Sequence, residues 1–361
     1  MVTYLRPPTD GHPTADGQLA SDGHPPIEAP SQPRSVGEVL DAVTSQRPAN
    51  GEWSRPVATG FELLDRVLEG GMHAGDLMML GGCPGVGKTI AALQMARHAA
   101  MTGRSTVYIN YEHDSATMLG RLLAMELGEL ARPDIAPEID RLRSLVVQAT
   151  SGYRSLEDLV RDEPLVAEAH QRVRNFADRL WLVRGSGAQT DIAAIEATLP
   201  DGGLEPLLIV DYLQKIPVQP EPATEAEKVT RSVEGLKDLA LRRRVAVIAL
   251  VAADWDGVRS GRVRLHHLRG SSALAYECDI AVMLNEKHQA VSRTHLTFDS
   301  VKAESFQHLV VFSIEKNRSG PAMVDLEFRK DFMHYRFVPT GGYLMERLVD
   351  DRLAEESAIG R

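Results

Sequence analysis

The 361-residue sequence has little cysteine and few aromatic residues. Its two cysteines, Cys83 and Cys278, are too few for a disulfide framework and too few for a zinc site. A reducing compartment fits this composition, and we expect a cytoplasmic protein. Aromatic residues make up 5% of the chain against 43% hydrophobic residues overall, so the sequence predicts a sizeable and mainly aliphatic core.

Long apolar runs and an excess of positive charge are also missing. No apolar run approaches the roughly 20 residues that span a bilayer, and the N-terminus lacks the order of a signal peptide, so no membrane contact is expected. The formal net charge is −10, which argues against a generally basic surface for nucleic acid. Any nucleic-acid contact must therefore come from a local basic cluster.

A glycine-rich segment follows the first predicted strand and opens a predicted helix. It reads G-x-x-x-x-G-K-T, the phosphate-binding pattern of P-loop ATPases. Its glycines let backbone N–H groups turn toward phosphate oxygens, and the helix presents its free N–H groups to the same anion. Lys88 would reach the β- and γ-phosphates and the Thr89 hydroxyl would ligate magnesium, so ATP and Mg²⁺ are the expected cofactors. The predicted nucleotide-binding loop is Gly82, Cys83, Pro84, Gly85, Val86, Gly87, Lys88 and Thr89.

The composition divides the chain into four parts. Residues 1–34 are rich in Pro, Gly, Asp, Ser and Thr without apolar periodicity, so we expect a disordered tail. Residues 35–56 should form a short helix and a linker, because a Ser35–Glu38 capping box precedes an i, i+3, i+4, i+7 apolar stripe. A compact domain is expected over 57–345, followed by a C-terminal tail over 346–361.

Strands alternate with helices through most of the compact domain. This alternation predicts an α/β fold with a mostly parallel sheet flanked by helices, and the closely spaced later strands predict an antiparallel C-terminal edge. The predicted helices are 90–100, 115–127, 156–177 and 225–243. The predicted strands are 77–81, 106–111, 180–183, 207–210, 245–251, 280–284, 295–298, 309–314, 323–328 and 334–338.

Three polar residues follow buried strands at the edge where such sheets bind ligands. Asp211 ends an aliphatic run and fits the carboxylate that orients magnesium in P-loop enzymes. Glu112 follows the adjacent strand and could accept the proton of the attacking water, although a carboxylate near a helix start is an equally good interpretation. Gln214, three residues after Asp211, could sense the γ-phosphate.

Two basic features have both a structural and a functional interpretation. Lys316 and Arg318 form a Lys-x-Arg pair before a turn, which is either a solvated turn or an arginine finger offered to a neighbouring subunit's nucleotide. The densest basic cluster is either an ordinary charged loop or a contact to a phosphate backbone. It is not interleaved with aromatic residues, so base stacking is not evident. The candidate DNA-binding residues of this cluster are Arg259, Arg262, Arg264, Arg269 and Gly270.

Several of these segments, taken together and in order, resemble the C-terminal ATPase domain of DnaB-type replicative helicases. The resemblance covers about residues 57–338, and its motifs are more specific together than any is alone except the P-loop. The segments that carry it, besides the P-loop, are Thr59-Gly60-Phe61, Leu64-Asp65, Gly70-Gly71, Gly75-Asp76-Leu77, Arg121-Leu122-Leu123-Ala124, Val210-Asp211-Tyr212-Leu213-Gln214, Leu236-Lys237-Asp238-Leu239-Ala240, Leu268-Arg269-Gly270-Ser271-Ser272-Ala273-Leu274 and Lys316-Asn317-Arg318-Ser319-Gly320-Pro321.

The resemblance implies a RecA-like core assembled as a ring, most simply a hexamer, with nucleotide bound between subunits. One subunit would supply the P-loop, Glu112 and Asp211, and the next would supply Lys316 and Arg318. Loops lining the channel would hold single-stranded DNA, and the helix beginning at Val36 would dock on a neighbouring subunit.

The sequence also departs from the family's pattern. A tail stands where the family has an N-terminal helical domain, so we expect something other than a complete replicative helicase. The segment 250–254 lacks the family's Ser-Gln, which puts one relay between phosphate and DNA loop in doubt. Gly270-Ser271 stands where an acidic residue and serine are common, and Tyr111-Glu112-His113 replaces Leu-Glu-Met with the glutamate kept.

The sequence therefore supports a principal hypothesis and two alternatives. The principal one is an ATP-dependent DNA helicase or single-strand translocase, a homo-oligomer in which the N-terminal tail could recruit a replication or repair partner. The second is a regulatory or assembly ATPase like RecA, RadA or KaiC that does not unwind DNA. The third, a scaffold without ATPase activity, conflicts with the intact Lys88, Thr89, Glu112 and Asp211.

Overall fold

The computed structural model describes residues 33–45, 55–200, 205–291 and 300–349, with side chains from 303 onward in the last segment. The chain divides into two units, residues 1–53 and 54–361. Four parts lie outside the described residues: residues 1–32 of the tail predicted over 1–34, most of the predicted linker, the predicted strand 295–298 and residues 350–361. Within the described ranges no helix has the length and hydropathy needed to cross a membrane.

The described part of the first unit is one helix, α1 (Val36–Ser45), with the predicted bounds. Its capping box is present, since the Ser35 N–H donates to Glu38 Oε2 at 2.6 Å and the Glu38 N–H donates to Ser35 Oγ at 3.1 Å. These bonds lower the pKa of the Glu38 carboxyl. The apolar stripe is exposed along its length, with Val36, Leu40 and Val43 all more than half accessible.

The second unit is built on a single sheet with the strand order β10-β8-β7-β6-β1-β5-β4-β2-β3, and β9 pairs with β8. The strands from β6 to β3 along this order are parallel, and β7, β8, β9 and β10 are antiparallel to their neighbours. The predicted fold class is confirmed. The strands are β1 (Leu77–Gly82), β2 (Thr106–Asn110), β3 (Leu180–Arg184), β4 (Leu207–Asp211), β5 (Ala246–Ala252), β6 (Ile280–Glu286), β7 (Leu309–Asn317), β8 (Val324–Asp331), β9 (Arg336–Phe337) and β10 (Gly342–Tyr343).

Helices cover both faces of the parallel strands, because alternate strand residues point to opposite faces. Met78 and Leu80 pack toward helices α2 to α7, whereas Leu77 and Met79 pack toward α8, α9 and α11. The helices of the second unit are α2 (Glu62–Val67), α3 (Lys88–Met101), α4 (Ser115–Leu130), α5 (Ala136–Thr150), α6 (Leu156–Asp162), α7 (Pro164–Arg174), α8 (Ile192–Glu196), α9 (Glu225–Arg243), α10 (Trp255–Arg259), α11 (Ala273–Glu277), α12 (Lys287–Ala290) and α13 (Ser300–Ser305).

Two predicted boundaries are corrected. The single helix expected over 156–177 is broken into α6 and α7 at Glu163, because Pro164 has no N–H to donate and begins a new helix at its first position. The compact domain continues past the expected end at 345, since Leu348 is buried against Val291 and Phe306.

The few aromatic residues are concentrated at the antiparallel edge, where the core is less aliphatic than the composition suggests. The rings of Phe61 and Phe328 lie 5.0 Å apart edge to face, and those of Phe312 and Phe337 lie 5.4 Å apart in the same arrangement. Phe332 extends the cluster from Phe337, at 5.2 Å. This cluster joins the C-terminal strands to the segment that enters the domain.

Candidate functional site

The P-loop lies at the carboxyl edge of the parallel sheet, where the polar ends of neighbouring strands meet. It follows β1, Glu112 follows β2, and Asp211 ends β4. In the sheet β4 lies directly beside β2, and β5 lies between β4 and β1, so the carboxyl ends of all three strands meet on the same side. An open α/β sheet binds its ligand outside this edge.

The P-loop backbone has the conformation that a phosphate cradle needs. Gly82, Gly85 and Gly87 have φ values of 150°, 83° and 99°, a region that side-chain-bearing residues rarely adopt. Lys88 turns back over the loop, and its Nζ donates to the carbonyl oxygens of Gly82 at 2.8 Å and Cys83 at 2.9 Å. Burial lowers the pKa of this ammonium against the opposing effects of Asp211, Cys83 and Glu112. An anionic phosphate entering the loop would give this desolvated cation the partner it lacks.

The aromatic cluster supports the loop from behind. A Cβ placed on Gly87 would come within 2.5 Å of Phe332 Cζ and 2.8 Å of Phe337 Cζ, so only glycine fits there. Helix α3 is tied to the same strand, because the Gln94 amide donates to the Phe337 carbonyl at 3.1 Å and accepts from its N–H at 2.8 Å. The antiparallel edge therefore fixes the position of the P-loop and its helix.

Asp211 is held by two hydroxyl groups that converge on one oxygen. Thr89 Oγ1 donates to Asp211 Oδ2 at 2.8 Å, and the Tyr108 hydroxyl donates to the same atom at 2.9 Å. Burial raises the pKa of the Asp211 carboxyl, whereas both hydrogen bonds lower it. A threonine hydroxyl beside a strand-end carboxylate at the phosphate cradle is a donor set that suits magnesium.

Glu112 is positioned through its backbone. The N–H groups of Glu112 and His113 both donate to Asn110 Oδ1 at 2.7 Å, which holds the segment after β2 in a tight turn. The helix cap is Asp114, whose side chain accepts from the Thr117 N–H at 2.7 Å. Glu112 is therefore not the capping residue, and its side chain lines the P-loop pocket.

That pocket has a volume of about 390 Å³ and contains Lys88, Thr89, Glu112 and Asp211 together. Arg121 also lines it, with its guanidinium 2.9 Å from His113 Nε2 and 5.4 Å from the centre of the Tyr335 ring. Lys88, Thr89, Glu112 and Asp211 were predicted from the sequence as ATPase residues. The fold places all four in one cavity.

Gln214 lies beside this pocket and connects two loops. Its amide nitrogen donates to the Arg269 carbonyl at 3.1 Å, and its amide oxygen accepts from the Ala252 N–H at 3.5 Å. The Arg269 N–H in turn donates to the Ala252 carbonyl at 2.9 Å. Gln214 therefore links the segment after Asp211 to the end of β5 and to the basic loop.

Lys316 and Arg318 lie near the amino ends of the parallel strands, whereas the P-loop of the same chain lies at their carboxyl ends. The Arg318 N–H donates to the Asp279 carbonyl, and Asp279 Oδ2 accepts from the N–H of Leu77, the first residue of β1. The P-loop begins at the other end of β1, about 17 Å away at the rise of a β-strand. An arginine side chain cannot cover this span, so Arg318 does not reach the P-loop of its own chain.

The two cations are held in place at that end of the strands. Arg318 Nη1 donates to Asp279 Oδ1 at 3.0 Å and Nη2 donates to the Tyr276 carbonyl at 2.6 Å, while half of the side chain remains exposed. Lys316 Nζ donates to the Ala275 carbonyl at 2.7 Å. Both side chains are thus anchored to the segment from Ala275 to Asp279 and point away from the chain's own P-loop pocket.

The basic loop is divided by the fold. Arg262 is buried and paired with Asp325 at 3.3 Å, and Arg264 is paired with Glu315. Burial removes Arg262 from a surface role, which corrects its expected place among the DNA contacts. Arg259 is exposed, and Arg269 is exposed while paired with Glu225. Gly270 has a φ of 121° and packs on Val229, where a Cβ would lie 2.5 Å from Val229 Cγ2.

Several residues of the site were not predicted from the sequence. Tyr108 carried a detectable signal, because a tyrosine inside a buried strand needs a partner for its hydroxyl. Asn110 ends the same strand, and its polar side chain at a buried position carried a similar signal. Tyr335 carried no signal, since its place beside Arg121 depends on the return of the C-terminal edge to the P-loop.

Known proteins with similar sequences include helicases and a DNA repair protein. The sequence profile of the family described as DnaB-like helicase C terminal domain matches residues 56–178 and 189–337. The replicative DNA helicase DnaB of Treponema pallidum (strain Nichols) is 24% identical over 283 residues, covering 77% of this chain and 55% of that protein. The DNA repair protein RadA of Mycobacterium tuberculosis (strain ATCC 25618 / H37Rv) is 36% identical over 96 residues, covering 27% of this chain and 18% of that protein. The chain thus spans about half the length, or less, of these curated relatives.

Solved structures share the fold at low sequence identity. One of them, described as an ATPase domain, superposes with a TM-score of 0.65 at 19% identity, covering 85% of this chain and 99% of that domain. A DnaB-like replicative helicase, solved in a study of its interactions with primase, superposes with a TM-score of 0.62 at 19% identity, covering 84% of this chain and 67% of that one. With the profile matched over most of its length, the chain belongs to the DnaB-like helicase C-terminal domain family.

Proposed function

We propose that this protein hydrolyses Mg-ATP at the interfaces of a homo-oligomeric ring and uses that reaction to move along or unwind single-stranded DNA. The observation that carries the proposal is the separation of the two halves of the site. The P-loop, Glu112 and Asp211 lie at the carboxyl ends of the parallel strands, whereas Arg318 lies near their amino ends. In a head-to-tail ring, opposite faces of neighbouring subunits meet, so one subunit completes the site of the next.

Each residue of the candidate site has a defined part in this reaction. The P-loop N–H groups and Lys88 bind the phosphates, and Thr89 and Asp211 hold the magnesium ion, which supplies charge neutralisation when bound. Tyr108 keeps the Asp211 carboxylate in place. Glu112 orients the attacking water and accepts its proton, and Lys316 and Arg318 of the next subunit stabilise the transferring phosphoryl group.

The DNA contact is assigned to the loop between β5 and β6. Arg259 and Arg269 are its exposed arginines, and Gly270 allows the loop to pack on α9. Gln214 bonds to the Arg269 backbone from the segment that follows Asp211, so a shift at the nucleotide is transmitted to the loop. We assign to Gln214 the relay that the family places on the glutamine missing from 250–254.

A hexamer is the assembly proposed from the family resemblance. The exposed stripe on α1 provides a surface for a neighbouring subunit, as burial of Val36, Leu40 and Val43 would repay docking by the hydrophobic effect. A replication or repair protein is the proposed partner of the N-terminal segment, and the cytoplasm is the proposed location.

The first experiment is steady-state ATP hydrolysis with and without single-stranded DNA at low salt. We expect the strand to stimulate turnover, and its affinity to fall steeply as salt rises because phosphate contacts release counterions. The Lys88→Ala variant is the matched control and should show no turnover under either condition. Hydrolysis that ignores nucleic acid would contradict the translocase assignment while leaving the ATPase assignment intact.

The second candidate is a regulatory or assembly ATPase related to RadA. The 36% identity to that DNA repair protein over 96 residues and the absence of the family's Ser-Gln favour it. In this case nucleotide would change the oligomeric state without strand movement. Mass measurements with ATP, ADP and no nucleotide, taken alongside an unwinding assay, separate the two functions.

A further inference from the structure

Helix α10 places an exposed aromatic ring inside the basic loop. Trp255 is 75% accessible, the most exposed tryptophan among the described residues. Arg259 follows at i+4 and Val258 at i+3, so all three lie on one face of the helix. Asp254 fixes this turn by accepting from the Gly257 N–H at 2.7 Å. The Trp255 ring is exposed to solvent beside the Arg259 cation, on a helix turn that a hydrogen bond holds in place. This arrangement indicates a binding surface.

Two residues of this face, Trp255 and Val258, line a cleft of about 990 Å³ that adjoins the nucleotide pocket. Trp255, Val258 and Arg269 line it on the loop side, and Cys83 and Val86 of the P-loop line it on the other. The two cavities share Pro84, Tyr212 and Ala252 in their walls. A ligand in this cleft would therefore lie directly against the P-loop.

Exposed arginines beside the indole favour a polyanion with flat apolar groups. Three carboxylates line the cleft, but each already has a partner. Glu225 is paired with Arg269, Glu286 is paired with Lys330 at 2.6 Å, and Asp254 caps α10. Of the four arginines in the segment 252–269, Arg262 and Arg264 are paired with Asp325 and Glu315. The other two, Arg259 and Arg269, are exposed beside the indole, and this combination suits a nucleic-acid strand.

We infer that Trp255 is a stacking platform for a base of the single strand, with Arg259 and Arg269 contacting the flanking phosphates. The inference rests on the proposed translocase function and adds a base contact to it. Stacking is tolerant of sequence because every base has a π-face, so this contact would hold DNA without selecting a site. Its position against the P-loop places one nucleotide of the strand at the wall that the nucleotide pocket shares.

The test measures the affinity of an oligo(dT) strand and of the same strand carrying abasic sites, using the full chain with a non-hydrolysable ATP analogue. Stacking on an aromatic side chain contributes a roughly 5- to 150-fold effect per base, so Trp255→Ala should weaken oligo(dT) binding by about tenfold. The abasic strand should bind the wild-type protein as weakly as Trp255→Ala binds oligo(dT). Trp255→Phe should restore most of the affinity. The control is Trp181→Ala, which removes a 41% exposed tryptophan from β3 at the far side of the sheet.

Fluorescence gives a second readout. The chain has three tryptophans, so the Trp53→Phe and Trp181→Phe double variant reports from Trp255 alone, and its emission should be quenched by oligo(dT) but not by the abasic strand. Equal affinity of wild type and Trp255→Ala for oligo(dT) would overturn the stacking inference and leave the translocase proposal standing. A loss of oligomer mass in Trp255→Ala would place the Trp255 side chain at a subunit interface and overturn the stacking inference. Failure of every variant and of the wild type to bind the strand would remove both proposals.

Discussion

Arg318 offers the sharpest test of the shared site, because the fold separates it from its own P-loop by the length of β1. Arg318→Ala should cut turnover by about three orders of magnitude or more, as losses of arginine fingers do. Its effect on folding should be small. Asp279 keeps the Lys237 ammonium at 2.7 Å and the Leu77 N–H at 2.8 Å, so no buried charge is orphaned. Arg318 is half exposed, so its lost pair with Asp279 contributes at most about 1 kcal/mol to the free energy of unfolding.

Mixing two inactive variants then separates action within a subunit from action between subunits. Lys88→Ala supplies an intact finger and Arg318→Ala supplies an intact P-loop. In an equimolar random ring, about a quarter of the interfaces combine both intact halves, so about a quarter of wild-type turnover should return. Lys88→Ala mixed with wild type is the control, and there about half of the interfaces remain intact.

The assay is steady-state phosphate release after the subunits have been dissociated and reassembled together, with mixing verified by native mass. If verified mixed rings show no more turnover than the sum of the two variants alone, Arg318 does not act between subunits. The model of a site completed by the neighbouring subunit would then be wrong, whatever the activity of the wild-type protein.

Two further predictions concern the residues that link the nucleotide to the fold. Tyr108→Phe removes one donor from the buried Asp211 carboxylate, so we expect the free energy of unfolding in urea to fall by about 1.5–3 kcal/mol and the half-saturating magnesium concentration to rise. Tyr111→Phe is its control, because that hydroxyl donates to a backbone carbonyl, and magnesium dependence should not change. Gln214→Ala should keep basal hydrolysis but lose its stimulation by single-stranded DNA, since the bond to the Arg269 carbonyl is removed. An unchanged stimulation ratio would exclude Gln214 as the relay.

Strand periodicity and loop chemistry made most of the fold predictable. Runs of buried, mainly apolar residues marked the parallel strands. The starts of α1 and α9 were predicted correctly, and both have side-chain caps at their first turn. The short helices α8, α10 and α11 were missed, since a single turn carries too little apolar periodicity to detect. The break at Pro164 was missed because the apolar pattern continues across it.

The site divides along similar lines. The P-loop is a local motif whose conformation follows from its glycines, so its eight residues were identified without a structure. Arg262 shows the limit of such reasoning, because its sequence context is basic whereas its side chain is buried against Asp325, a residue 63 positions away. Sequence proximity groups charges that the fold then separates.

The phosphate cradle, the strand-end carboxylate and the α/β sheet covered on both faces could be inferred without a structure, because each depends on residues within one or two turns or strands. By contrast, the bond from Tyr108 to Asp211, 103 residues away, and the orientation of Arg318 away from its own P-loop became evident only in the folded chain. These features depend on strand order and direction. Such choices are made by the packing of the whole sheet, and no local pattern encodes them.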